Sequence, residues 1–160
     1  MERVEIMLAR IKTVMKSLTQ TSQAEALSPD ALKMAAVVLM VEVMMADHQI
    51  EEAEKQQLLR SSMEFLAISR EEGLELIEQA IQRHDDVVSL YALTKVINER
   101  LDSERKIELI AHMWRVAYSD RQWDKYEEHL IRKVADLLYI SHKDFIHARV
   151  LVEEQLPDTR

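Results

Sequence analysis

The chain has 160 residues, of which 48% are apolar and 31% are charged, so a sizeable core can form beneath a charged surface. Its formal net charge of −8 disfavours nucleic acid and anionic membrane as partners, because both select basic surfaces. The chain contains no cysteine, which excludes disulfides, thiolate metal sites and cysteine nucleophiles. One Gly and two Pro favour long helices with brief connections over many short strands.

Apolar residues recur at helical spacing, and cap residues divide this pattern into eight predicted helices with no strand. The predicted helices are 2–19, 29–46, 50–66, 69–83, 86–100, 102–119, 123–138 and 141–156. Ser69 and Glu72 form a predicted capping box at the fourth helix, Asp102 or Ser103 begins the sixth, and Ser141 caps the eighth. The sequence therefore predicts an all-α fold, organised as one domain over residues 1–160 with an amphipathic N-terminal helix at 2–19.

The second predicted helix is the most apolar part of the chain. Ser28 and Pro29 form a typical helix start, and only Lys33 and Glu42 are charged in residues 31–46. These 16 residues are shorter than the roughly 20 needed to span a bilayer, so we predict a helix buried on all sides in a protein core. The charged N-terminus does not resemble a signal peptide, and we expect a soluble, cytoplasmic protein without direct membrane insertion.

A repeat relates the two halves of the chain at an offset of 73 positions. It places Val43 on Val116, Asp47 on Asp120, Glu51 on Asp124 and Glu54 on Glu127. Further along, Leu66-Ala67-Ile68-Ser69 matches Leu138-Tyr139-Ile140-Ser141 at an offset of 72. The repeat units are about 28–84 and 102–156, and two copies predict a pseudo-twofold array of helices rather than a solenoid.

The repeat also aligns two opposite charges, Glu42 and Arg115, within otherwise apolar helices. A pseudo-twofold axis could bring them together as an ion pair, since an unpaired buried charge is costly. The alternative is that both lie on an exposed edge.

Each repeat unit carries the pattern Asp-x-x-apolar-acid-x-x-Glu after an apolar segment. The acids are Asp47, Glu51 and Glu54 in the first unit, and Asp120, Asp124 and Glu127 in the second. A tight turn could converge these carboxylates into oxygen ligands for a hard divalent cation such as Ca²⁺ or Mg²⁺. Capping of the next helix is the simpler interpretation and explains one copy by itself, because acids are favoured in a helix's first turn. The repetition of the same acids in two copies favours a cation. The apolar residue, Ile50 or Trp123, is expected to fill the corner between the helices.

Other metal chemistry has less support from the sequence. A true EF-hand is excluded because Val43 and Met45, and their counterparts Val116 and Tyr118, stand where the first two ligands belong. The six His residues show no HExxH motif, and we do not expect a zinc site.

The segments LMVEVMMADHQIEEAE and RVAYSDRQWDKYEEHLIRKVADLLYISHKDF resemble the tellurite-resistance TerB family, including relatives fused to co-chaperones. In that family a helix ends in Ala-Asp-Gly-x-Ile-x-x-x-Glu and an amphipathic helix follows, in two pseudo-symmetric copies. The resemblance covers about residues 28–150, and the second copy matches over the longer run.

The resemblance implies an all-helical domain of a bacterial cytoplasmic protein, which partners can gather at the inner face of the membrane in tellurite and general stress resistance. It implies no enzymatic activity. It also implies a metal-binding role for Asp47, Glu54, Asp120 and Glu127. The chain departs from the family pattern at the Gly, where His48 and Arg121 stand. Arg121 would compete with a cation beside Asp120, so the first repeat unit is the better candidate.

The sequence is compatible with three functions. The favoured one is a non-catalytic TerB-like module that binds protein partners and a divalent cation. The alternatives are a metal-dependent hydrolase that holds two ions in the two acidic clusters, and a pure interaction scaffold without an ion. The sequence names neither the partner nor the oligomeric state.

Overall fold

A computed structural model describes residues 29–46, 50–82, 89–119 and 124–156, and every regular element within these ranges is an α-helix. The helices are α1 (Pro29–Met45), α2 (Glu52–Leu66), α3 (Arg70–Gln82), α4 (Leu90–Arg100), α5 (Ser103–Tyr118), α6 (Lys125–Leu137) and α7 (His142–Gln155). The predicted all-α class is confirmed, whereas the predicted helix 2–19 lies outside the described residues. None of the seven helices is long and apolar enough to cross a membrane.

Helix α1 is buried around its whole circumference, as its apolar sequence predicts. It begins at Pro29, and every residue from 34 to 41 is buried. Met40 and Met44 are completely buried, so the Met-rich stretch fills the core. Each such side chain contributes roughly 1.5–3 kcal/mol to folding. At the start of α1, Lys33 Nζ lies 2.9 Å from Glu72 Oε1 and ties α1 to the first turn of α3.

Side-chain caps begin most of the remaining helices, because their oxygens accept backbone N–H groups that have no partner within the helix. The caps are Ser69 for α3, Ser89 for α4, Asp102 for α5, Asp124 for α6 and Ser141 for α7. Ser69, Asp102 and Ser141 were predicted. The predicted reciprocal capping box at Ser69 was wrong in one respect, since the Glu72 carboxylate pairs with Lys33 instead.

The start of α4 corrects the sequence prediction. We expected this helix to begin at Asp86, but Ser89 has extended backbone angles (φ −67°, ψ 146°) and its hydroxyl accepts a hydrogen bond from Ala92 N. A helix cannot run through an extended residue, so α4 begins at Leu90. Residues 83–88 lie outside the described part of the chain.

The two repeat units agree in burial and in backbone detail. The buried residues Glu54, Leu58, Ser61 and Ser62 of α2 correspond, 73 positions later, to the buried Glu127, Ile131, Val134 and Ala135. Both units then place a non-glycine residue in the left-handed region, Ala67 (φ 53°) and Tyr139 (φ 59°). These two residues are 72 positions apart, so one residue has dropped out just before the turn.

Helices of the two units pack around a shared centre. Helix α1 packs against α5, α2 packs against α5, and α6 packs against α1. Helix α3 lies against α1 as α7 lies against α5. Exchanging the two units preserves these contacts, as the predicted pseudo-twofold repeat requires, whereas the packing of α2 against α3 has no equally extensive counterpart between α6 and α7. Helix α4 joins the units and packs against α1 and α6.

The hypothesised pair between Glu42 and Arg115 was wrong. The Arg115 guanidinium lies 3.3 Å from His112 Nδ1, on its own helix, and donates to Gln155 Oε1 of α7 at 3.0 Å. The packing of α7 on α5 provides the Gln155 partner, which a single sequence does not reveal.

Candidate functional site

The first acidic turn connects α1 to α2. Glu51 is the N-cap of α2 with extended backbone angles, but its exposed side chain forms no cap hydrogen bond with the described residues. Glu54, one turn into α2, is completely buried, with 0% of its surface exposed. Ile50 is 42% exposed, so the expectation that it fills the corner between helices was wrong. Asp47, His48 and Gln49 lie outside the described residues.

The second acidic turn shows how acids can serve a helix start. Asp124 Oδ1 accepts hydrogen bonds from Tyr126 N and Glu127 N, each at 2.9 Å. Glu127 Oε1 in turn accepts from Asp124 N at 3.2 Å, which completes a reciprocal capping box. Glu127 is 1% exposed. Asp120 and Trp123 lie outside the described residues.

Capping therefore explains the acids of the second repeat unit better than those of the first. The equivalent residues Glu51 and Asp124 are both N-caps, yet only Asp124 accepts backbone hydrogen bonds through its side chain. The equivalent residues Glu54 and Glu127 are both buried, which capping alone does not require, because a first-turn acid can act from the surface. Burial of a carboxylate costs free energy, so a buried Glu at the same position of both repeat units needs an explanation beyond capping.

The described residues include four of the six predicted ligands, namely Glu51, Glu54, Asp124 and Glu127. Within the described ranges no group of three or more His, Asp or Glu side chains lies together as a metal site would require. The first acid of each motif, Asp47 or Asp120, lies outside these ranges. The metal site thus stays a prediction, and the described residues add no support for a two-metal hydrolase.

A polar network follows the end of α5, beside the second acidic turn. Tyr118 Oη donates to Glu153 Oε1 at 2.6 Å, and Arg149 Nε donates to both Tyr118 Oη and Glu153 Oε1 at 3.0 Å. Arg149 Nη1 also reaches Glu128 Oε1 at 3.2 Å. Burial raises the pKa of the Tyr118 hydroxyl to about 12, and its hydrogen bond to Glu153 acts in the same direction. The phenol therefore stays protonated at neutral pH.

Most of this network is not evident from the sequence. Arg149 and Glu153 are four positions apart on one helix, which is a visible local signal. Their contacts with Tyr118 and Glu128, however, depend on how α7 packs against α5 and α6. The Arg149 guanidinium also lies 5.1 Å from the ring of Trp114, a buried core residue.

A buried histidine lies further back on α5. His112 is 6% exposed, and its ring meets the ring of Phe65 edge-on at 5.8 Å. Burial, together with the positive charges of Arg115 and Arg105, lowers the pKa of His112 to about 4. The imidazole is therefore neutral at physiological pH and can accept a hydrogen bond from Arg115.

A model of the protein family described as Tellurite resistance protein TerB matches residues 33–150. Comparisons with curated proteins and with solved structures gave no match. The matched region runs from the first turns of α1 into α7 and includes both acidic turns, and it is well over half of the chain.

Proposed function

Because the chain belongs to the TerB family of tellurite resistance proteins, we propose that it is a non-catalytic binding module of a bacterial tellurite or general stress response. In this role it acts in the cytoplasm, engages partner proteins and holds a divalent cation, Ca²⁺ or Mg²⁺, at its acidic turns. The observation that supports the cation most directly is the burial of Glu54 and Glu127 at the same position of the two repeat units.

Electrostatics favours a cation at such a corner. A carboxylate below the protein surface is screened less by salt and water than an exposed one, so it acts more strongly on its surroundings. Glu54 and Glu127 each place a carboxylate in the first turn of the helix that follows an acidic connection. Oxygen ligands from Asp and Glu are those that Ca²⁺ and Mg²⁺ prefer.

The first repeat unit is the stronger candidate for the ion. The Glu51 side chain does not cap α2, whereas Asp124 Oδ1 already accepts hydrogen bonds from two backbone N–H groups. Next to the second turn, Glu128 is paired with both Arg132 and Arg149, which adds positive charge there. We therefore propose Asp47, Glu51 and Glu54 as the main ligands, and Asp120, Asp124 and Glu127 as a weaker set.

Thermal unfolding with and without each cation tests this proposal. A ligand at 100 times its Kd stabilises the folded state by about 2.7 kcal/mol, which raises Tm by roughly 5–10 °C for a chain of this size. The expected result is such a rise with Ca²⁺ or Mg²⁺ in the wild type. It should be lost in Asp47→Asn, which keeps the shape of the side chain and removes its charge.

Asp120→Asn is the matched control, because it makes the same change at the equivalent position of the second unit. It should retain most of the rise. Absence of a cation-dependent rise in the wild type would leave the pure scaffold as the better description, and an undiminished rise in Asp47→Asn would remove the assigned site.

A further inference from the structure

A surface groove of about 450 Å³ runs between α2 and α3, the two outer helices of the first repeat unit. Apolar side chains from both helices line it, and we call it the α2–α3 groove. They are Leu59 and Met63 of α2 and Leu74, Ile77 and Ile81 of α3. Leu74 is 47% exposed, although it is a large apolar residue in the middle of the groove.

The only glycine of the chain sets how closely α2 and α3 approach. A Cβ atom on Gly73 would lie 3.0 Å from Leu59 Cδ1, a distance tighter than ordinary van der Waals contact. The bare backbone of α3 therefore packs directly on Leu59, and the apolar rows of the two helices come to lie side by side.

The second repeat unit provides an internal comparison, because the repeat assigns each groove residue a counterpart. Leu59, Gly73, Ile77 and Ile81 correspond to Arg132, Phe145, Arg149 and Glu153. The counterpart of a glycine is thus an aromatic residue, and the counterparts of three apolar residues are charged.

These counterparts interact with one another. The Arg132 guanidinium lies 5.6 Å from the Phe145 ring and 3.2 Å from Glu128. Arg149 forms ion pairs with Glu128 and Glu153. In the second unit, charged and aromatic side chains thus occupy the surface that is an apolar groove in the first unit. This surface therefore differs between two otherwise similar units.

Charged residues border the α2–α3 groove unevenly. Arg60 and Arg70 lie toward the end at which the short turn 67–69 joins the two helices. Further along the groove, Glu52 and Glu78 lie together with one further cation, Lys55. Both arginines are exposed, and neither forms an ion pair with any residue in the described part of the chain. Two arginines without such partners at one end of an apolar surface form a local positive patch in a chain of net charge −8.

We propose that the α2–α3 groove binds an amphipathic helix of a partner protein, with apolar residues along one face and acidic residues at the end that lies against Arg60 and Arg70. Residues 52–63 of α2 border the groove, which at 1.5 Å per residue is about 16 Å or three helical turns. That length matches a helix that binds through anchors at positions i, i+3 or i+4, and i+7. The proposal names a partner class for the binding role above and rests on that role, but it is independent of the cation.

Fluorescence anisotropy with two synthetic helical peptides tests the proposal. Both peptides carry the same leucine stripe over about four turns, and their remaining residues are Ala and Gln. One has three Glu at one end, and the other has three Lys at the same positions. The expected result is that the Glu peptide binds at least about tenfold more tightly than the Lys peptide, and less tightly as salt is raised.

Variants of the protein locate the binding surface. Leu74→Asp should weaken the binding of the Glu peptide by at least about tenfold. The double variant Arg60→Glu, Arg70→Glu should bind the Lys peptide more tightly than the Glu peptide. Val150→Asp is the matched apolar control, because Val150 is 41% exposed on α7. Lys133→Glu is the matched charge control, because Lys133 is the exposed counterpart of Arg60. Both controls should bind like the wild type, and far-UV circular dichroism should show that every variant is folded.

Several results would overturn the proposal. They are no binding of either peptide, equal binding of both, unchanged binding by Leu74→Asp, or equal losses in the control variants. Concentration-dependent self-association that Leu74→Asp abolishes would show that another molecule of this protein covers the groove instead. None of these results would alter the cation-dependent rise in Tm, so the two proposals can fail separately.

Discussion

Replacing His112 by Leu is expected to remove much of the acid sensitivity of this protein's stability. His112 is buried against Phe65 and close to Arg115, and burial lowers its pKa in the folded state to about 4. Its counterpart in the first repeat unit is Leu39, which is completely buried at the equivalent place on α1. A leucine therefore suits this position of the fold.

The size of the effect follows from the two pKa values. The unfolded chain takes up a proton at His112 near pH 6.5, whereas the folded protein does so only near pH 4. Between these values the unfolded state binds more protons, so the contribution of His112 is complete above pH 6.5 and is lost as the pH falls. The loss is about 2 kcal/mol between pH 7 and pH 5, and about 3 kcal/mol below pH 4.

Urea unfolding followed by circular dichroism at pH 7, 6 and 5 measures this difference. The free energy of unfolding of the wild type should fall by about 2 kcal/mol more than that of His112→Leu between pH 7 and pH 5. Other titrating groups contribute to both proteins, and the comparison removes them. Equal pH dependence in the two proteins would refute the reasoning, as would an NMR titration of the folded wild type in which the His112 ring protonates near pH 6.5.

Two further predictions concern the acidic turns and the polar network. Asp124→Ala should lower the free energy of unfolding by about 1–2 kcal/mol, since it removes the acceptor of two backbone hydrogen bonds. Glu51→Ala at the equivalent cap should lower it by less than about 0.5 kcal/mol, because the Glu51 side chain forms no cap hydrogen bond. Chemical denaturation measures both, and a larger loss for Glu51→Ala would contradict the assigned roles. The alkaline absorbance titrations of wild type and Tyr118→Phe should coincide up to about pH 10.5, because Tyr118 has a pKa of about 12. A missing tyrosine transition near pH 10 in the variant would contradict the network.

Local chemistry made most helix boundaries predictable. Ser69, Asp102 and Ser141 cap helices as their sequence context predicts, because a cap depends on a side chain and the three residues after it. The start of α4 was misplaced because Asp86 and Ser89 are both suitable caps within four residues. Local propensity does not choose between them, and the structure uses Ser89.

Long-range pairing was much less predictable than the helices. The repeat identified Glu54 and Glu127 as equivalent, and their common burial agrees with that equivalence. It did not reveal that Arg115 contacts Gln155 rather than Glu42, because that contact depends on the side of α5 to which α7 packs. The contacts of Arg149 with Tyr118 and Glu128 were not predictable for the same reason, because they also depend on how the helices pack.

The sequence repeat shows which residues of the two units are equivalent, but it does not show how the surfaces of the units differ. The exchange of Gly73 for Phe145 is visible in the sequence as soon as the units are aligned. Its consequence is not visible there, because it depends on the distance between neighbouring helices. Only the close contact between Gly73 and Leu59 shows that α2 and α3 present a shared apolar surface.

The burial of α1 has a consequence for how the protein unfolds. Although α1 belongs to the first repeat unit, it packs against α4, α5 and α6 as well as against α2 and α3. The amides in the middle of α1 can therefore exchange with solvent only when contacts to both units are broken, and they should report global opening in hydrogen exchange. We therefore expect the two repeat units to unfold as one cooperative unit rather than as two modules that melt separately.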